Sequence, residues 1–281
     1  MNKLYFLLFI FICISCTSKI SEGKKIFVTI EPQRYFAEQL ADTLFSIEAM
    51  VTHGTNPETY DPVPAQFARL SDADAYFCIG RIGFEEVWID KLKKNYSNLP
   101  FFDNSKGIQM IFSENDRHAH SDIPDPHIWT SPKEALIIAE NMYEALIEID
   151  PDNSAVYQSN MEILLKEINE TDLAVKSLLN SSSQKGFIIY HPTLTYFARD
   201  YGLTQYPIEI DGKEPAPEQI KKIVDLAKEK NIKTIFIQRE FDRKNAEIIS
   251  NETGCRLVVI DPLSYYWSRE IINIAKVLSD E

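Results

Sequence analysis

The chain has 281 residues, with 44% hydrophobic and 25% charged residues and a formal net charge of −13. That length accommodates two lobes of about 100–150 residues, each with its own core. The acidic balance argues against nucleic acid as a partner, because phosphate binding needs clustered Lys and Arg.

From the N-terminus, Lys3 provides a short positive region and residues 4–14 form an almost unbroken apolar run. A run this short reads as a signal-peptide core and not as a membrane span. Ile14-Ser15-Cys16 then places a small residue directly before a cysteine. The ending resembles a bacterial lipobox, although Cys13 stands where Leu is usual. The expected organisation is a leader over residues 1–15, with lipidation at Cys16 and a polar tether over 16–24. A cleaved leader with an incidental Cys16 is the alternative. No other stretch is apolar enough to span a membrane.

Beyond the tether, short apolar runs alternate with helical periodicity. Strands are expected at 26–30, 47–52, 75–79 and 99–102. Helices are expected at 34–44, 65–70 and 84–94. Such alternation implies a parallel sheet with helices on its faces. Pro132 opens a helix to Ile149, and Pro151 restarts it toward Leu178. A helix of about 25 residues spans nearly 40 Å, longer than one lobe needs. The alternation then resumes, with strands at 187–190, 204–210, 234–237 and 257–260. Helices are expected at 194–201, 218–230, 244–253 and 269–278. The predicted fold class is α/β: two parallel-sheet lobes, 25–150 and 183–281, joined by a single long helix at 151–182. Cys78 and Cys255 fall on different predicted strands, which reads as buried free thiols, with a disulfide as the alternative.

The five histidines are His53, His118, His120, His127 and His191. His191 and Asp261 directly follow predicted strands, and His53 and Glu58 follow the strand at 47–52. In parallel α/β sheets, ligands bind beyond the carboxyl ends of strands. Neutral imidazoles and carboxylates suit zinc and its first-row neighbours. Two of each would neutralise a divalent ion. Taken singly, a His after a strand is an ordinary loop residue, and Asp261 before Pro262 an ordinary turn former.

Several ordered segments share one resemblance. Asp125-Pro126-His127-Ile128-Trp129-Thr130-Ser131-Pro132 resembles the most recognisable segment of the zinc- and manganese-binding cluster of ABC-transporter substrate-binding proteins. Tyr190-His191-Pro192, followed by Tyr196-Phe197-Ala198-Arg199-Asp200-Tyr201-Gly202-Leu203, resembles a second ligand segment of that family. Asp150-Pro151 with Tyr157 and Asn160 resembles the start of its linking helix, and Val259-Ile260-Asp261-Pro262-Leu263 its final strand. The resemblance implies a metal site in the cleft between the lobes, with His127, His191 and Asp261 as ligands. Pro57-Glu58-Thr59-Tyr60-Asp61-Pro62 departs from the family, because Glu58 stands where a histidine is usual. Glu58 is the expected fourth ligand, with His53 on the same loop as its substitute. Gln238 stands where many relatives have Glu and is given no ligand role.

In the family, His at the position of His191 goes with zinc, and the His118–His120 loop resembles the His-bearing loop of zinc members. Zn2+ is the expected cargo, with Mn2+ as the alternative favoured by the carboxylates. The resemblance further implies a monomeric binding protein, held to the membrane through its lipid anchor only, on the periplasmic side of the envelope or on the surface of a single-membrane cell. It would hand metal to an ABC permease and its ATPase. The chain carries no Walker-type phosphate loop and no His-Glu-x-x-His motif, so neither ATP hydrolysis nor a zinc-hydrolase reading finds a motif. A surface adhesin of the same fold is a third reading.

Overall fold

The computed structural model describes residues 23–112, 124–209 and 212–279. The expected leader, Cys16, most of the tether, His118 and His120 lie outside the described residues.

The N-terminal lobe contains β1 (Lys25–Val28), α1 (Glu31–Ala41), β2 (Ser46–Ala49), α2 (Pro64–Leu70), β3 (Ala75–Cys78), α3 (Gly83–Asn95) and β4 (Phe101–Asp103). Two long helices follow, α4 (Pro132–Ile149) and α5 (Ser154–Asn180). The C-terminal lobe contains β5 (Gly186–Ile189), α6 (Thr195–Asp200), β6 (Thr204–Pro207), α7 (Pro217–Glu229), β7 (Thr234–Gln238), α8 (Lys244–Thr253), β8 (Arg256–Ile260) and α9 (Trp267–Ser279).

Each lobe is built on a four-stranded parallel sheet. The strand orders are β2-β1-β3-β4 and β6-β5-β7-β8, so the two lobes repeat one topology. In each, the chain goes from the first strand to one side and then crosses to the other. The order therefore reverses between β1 and β3, and again between β5 and β7. No sequence period betrays this repeat. Strands β3, β5 and β7 are buried along their whole length, as expected for parallel strands covered on both faces.

Proline marks helix starts as the sequence suggests. Pro132 opens α4 behind Ser131, whose hydroxyl accepts from the Lys133 and Glu134 backbone N–H groups. α1 begins and ends three residues earlier than expected. Pro32 sits inside its first turn, where a missing N–H is harmless, and Asp42 ends it at φ 49°. Cys78 and Cys255 are buried free thiols.

Packing ties the lobes together. One continuous apolar core runs from Ile26, Phe36 and Phe77 through Tyr157, Leu164 and Ile168 of α5 to Phe187, Phe236 and Trp267. A smaller core with Ile188, Ile235, Ile237 and Ile249 lies on the other face of the C-terminal sheet. Alternate residues of β5 thus serve different cores, the two-residue period of a strand. Helix α5 spans 27 residues, roughly 40 Å at 1.5 Å per residue. No helix among the described residues is long and apolar enough to cross a membrane.

Candidate metal site

Glu58 lies on the loop between β2 and α2, and its backbone N–H donates to Asn56 Oδ1 at 2.9 Å. The loop is pinned to the start of α3. Phe84 donates its N–H to the Pro57 carbonyl at 2.9 Å, and Gly83 donates to Glu58 Oε2 at 3.0 Å. A carboxylate is favoured there by the exposed N–H groups at a helix start. Contact is so close that a Cβ on Gly83 would fall 2.4 Å from Glu58 Oε2 and 2.7 Å from its Cα.

His127 precedes the 3-10 turn Ile128–Thr130 and is 5% exposed. Its Nδ1 is 2.8 Å from Asp125 Oδ1, which also accepts the His127 backbone N–H at 2.9 Å. Burial pulls the His127 imidazole down, but Asp125, with Glu58 and Glu209 behind it, outweighs that and raises it. For Asp125, burial works upward and the contacts with His127 hold it below the ordinary carboxylate range.

His191 follows β5. Its backbone N–H donates to Gln238 Oε1 at 3.3 Å, and Gln238 Nε2 donates back to the His191 carbonyl at 2.7 Å and to Thr193 Oγ1 at 2.9 Å. Gln238 therefore positions the loop rather than facing the site. His191 Nδ1 is 3.0 Å from Glu209 Oε1. Phe241 stacks on the imidazole with centroids 5.5 Å apart.

Both imidazoles thus engage a carboxylate through Nδ1. A carboxylate only accepts, so Nδ1 carries a proton, and in the neutral ring that leaves the lone pair on Nε2. The rings lie 5.2 Å apart. One ligating atom from each of Glu58, His127 and His191 falls within 4.8 Å of the others. Glu58 Oε1 and His191 Nε2 are buried without a hydrogen-bond partner, a costly state unless something else satisfies them. The three side chains line a cavity of about 10 Å³, room for one water-sized or ion-sized body.

Two other candidate residues, Asp261 and His53, lie outside the trio. The Asp261 carboxylate is 4.0 Å from Arg239 Nε, and its backbone N–H is held by Glu270 Oε1 at 2.9 Å. His53 is exposed. Glu240, which the sequence reading passed over, lines the cavity with the trio. Burial pushes its carboxyl up and Asp261 adds to that, while its own backbone N–H, His191 and His127 oppose. Its position just past β7 was the available signal.

The fold and the clustered imidazoles define a two-lobed solute-binding protein, of the kind that serves ABC importers. The chain belongs to the ZnuA family (zinc-uptake complex component A, periplasmic), whose model matches residues 26–270. It is 27% identical over 257 residues to the high-affinity zinc uptake system protein ZnuA of Bacillus subtilis, covering 86% of this chain and 80% of that protein. It is 29% identical over 242 residues to the manganese-binding lipoprotein MntA of Halalkalibacterium halodurans, covering 85% and 78%. A crystal structure of ZnuA superposes with a TM-score of 0.86 at 36% identity, covering 92% of this chain and 98% of that one.

Proposed function

We propose that this protein captures zinc outside the cytoplasmic membrane and delivers it to an ABC permease, with Glu58, His127 and His191 as ligands. The observation that carries this reading is the trio within 4.8 Å, His127 buried and Glu58 and His191 half-buried, with Glu58 Oε1 and His191 Nε2 lacking partners. Two imidazole nitrogens and a carboxylate oxygen suit zinc, and zinc stands above manganese in intrinsic affinity. The zinc-uptake relative supports the same cargo. Lipidation at Cys16, an extracytoplasmic location and a monomeric state belong to the proposal, and the lipoprotein relative supports the anchor. The protein acts by binding and release, with no bond made or broken in the cargo.

Manganese is the second reading. Glu58 makes the site richer in oxygen than a three-histidine site, which suits a harder ion. Elemental analysis of protein purified without added metal separates the two. The ligand assignment is tested by competition titration of His127→Ala and His191→Ala, each expected to cut zinc affinity severely. Unchanged binding in both variants would sink it.

A further inference from the structure

The sheet order bears on a ligand that the trio leaves open. Three protein ligands do not complete the tetrahedral shell usual for zinc. With neutral imidazoles, Glu58 cancels only one of the two charges of a divalent ion. Asp125 and Glu209 stand behind the imidazoles and reach the ion only through them, so the open fourth position is still favourable for a further carboxylate.

Two carboxylates stand near the C-terminal strand ends, Glu240 after β7 and Asp261 after β8. In open parallel sheets the binding crevice lies where the strand order reverses. In this lobe that point is between β5 and β7, the strands followed by His191 and Glu240. β8 lies one strand further out. The loops after both strands reach the cavity, through Glu240 after β7 and through Pro262 and Leu263 after β8, so the two carboxylates themselves decide. Glu240 lines the same cavity as Glu58, His127 and His191. Asp261 opens instead onto a separate polar cavity with Arg239, Arg269 and Glu270. Asp261 has Arg239 beside it, whereas Glu240 makes no ion pair among the described residues and accepts only from its own backbone N–H. Of the consecutive residues 239 and 240, Arg239 lies beside the Asp261 carboxylate, while Glu240 lines the cavity with the imidazoles.

We propose that Glu240, and not Asp261, supplies the second carboxylate to the metal held by Glu58, His127 and His191. The inference rests on the metal-capture reading above. In the structure the Glu240 carboxylate stands outside the 4.8 Å group, so ligation brings it inward by side-chain rotation.

The test uses the full chain stripped of metal, with Zn2+ titrated against a chromophoric chelator and Co2+ as a spectroscopic stand-in. Glu240→Gln keeps the size and removes the charge. It should lower zinc affinity about tenfold or more and change the visible absorption of the Co2+-loaded protein. Asp261→Asn should leave affinity within about twofold and the spectrum unaltered. Matched melting temperatures of the metal-free forms show that both variants are folded. Wild-type affinity and spectrum in Glu240→Gln would overturn the proposal, as would the loss appearing in Asp261→Asn instead. His127→Ala and His191→Ala serve as the separate control: if both bind zinc normally, the trio that this inference builds on falls.

Discussion

Replacing Gly83 by alanine isolates what holds Glu58 in place. Gly83 is not among the residues with positive φ, so alanine brings no backbone strain of its own. Its Cβ, however, would lie 2.4 Å from Glu58 Oε2, 2.7 Å from Cα and 2.8 Å from the carbonyl oxygen. The carboxylate oxygen can rotate aside, but the two backbone atoms move only with the loop. Ordinary carbon contacts begin near 3.5 Å, so the loop must retreat by roughly 0.7 Å. Ligand geometry tolerates about 0.5 Å, and the Gly83 N–H bond to Oε2 is strained at the same time. Zinc affinity should therefore fall about tenfold or more, close to 1.4 kcal/mol. Overpacking costs about 1–3 kcal/mol, and exchanging a helical glycine for alanine returns about 0.5–1 kcal/mol. The metal-free protein should thus melt only a few degrees lower. The assay pairs a zinc competition titration with thermal melts of the metal-free and loaded forms. Because the effect runs through Glu58, adding Gly83→Ala to Glu58→Ala should cost little further affinity. Wild-type zinc affinity in Gly83→Ala would refute the reasoning, as would full additivity in the double variant.

Glu209→Gln keeps the shape but removes the anion facing His191 Nδ1 at 3.0 Å; zinc affinity should fall about tenfold, read by the same titration. Glu58→His should retain or strengthen zinc binding and weaken manganese binding, since imidazole is the better zinc ligand. Glu85 is 6% exposed and accepts from the Ile79 and Gly80 backbone N–H groups at 2.7 and 2.8 Å. Burial nevertheless pushes its carboxyl from 4.5 up to about 7. The folded state therefore binds the proton more tightly than the unfolded chain. This contribution, on the order of 3 kcal/mol, is full below pH 4.5 and lost as pH rises through about 7. Urea melts of the metal-free protein across that window should show the decline, and Glu85→Gln should flatten it.

The fold was legible because its strands are short apolar runs and its helices open at prolines. Residues 75–79 and 187–190 read as strands with no further help, and Pro132 places the start of α4 to the residue. Strand order was not legible, since it depends on which strands meet across the sheet and not on local pattern. That gap reaches the site. A carboxylate after a strand is a reasonable ligand candidate, but the sequence cannot tell which strand end borders the cavity. Asp261 reads as a ligand from its segment, whereas Glu240, proposed above in its place, shares the strand junction with His191. Asp125 lies two residues from His127, so its partnership is local. Glu209 lies 18 residues from His191 and meets it because β5 and β6 are neighbours. Gly83 carried no ligand signal at all; its importance lies in the space it leaves for Glu58.

Binding proteins that close by bending a flexible crossover change shape on loading, and this molecule resists that motion in two ways. The first is α5, which lacks an internal glycine or proline to kink it. The second is the core shared by both lobes. Trp129 and Trp267 are 1% and 2% exposed. Trp129 donates Nε1–H to the Pro262 carbonyl at 2.8 Å, and Trp267 donates to the Trp129 carbonyl at 2.6 Å. Phe36 of α1 packs on Trp267 with centroids 5.0 Å apart, and Tyr265 bonds Glu38 of α1 across the same seam. Exposing even three of these large side chains costs about 2–3 kcal/mol each. A spread form would thus lie roughly 6–9 kcal/mol above the packed one, populated below about one part in ten thousand. Metal cannot close what is already closed, so its effect should be confined to the loops bearing Glu58, His127 and Glu240. Small-angle scattering should give a radius of gyration near 19 Å with and without zinc, while zinc raises the melting temperature by linkage. A contraction of roughly 1 Å on adding zinc, the scale of a hinge closure, would show that the shared core parts in the metal-free protein and that the seam, not the loops, responds to metal.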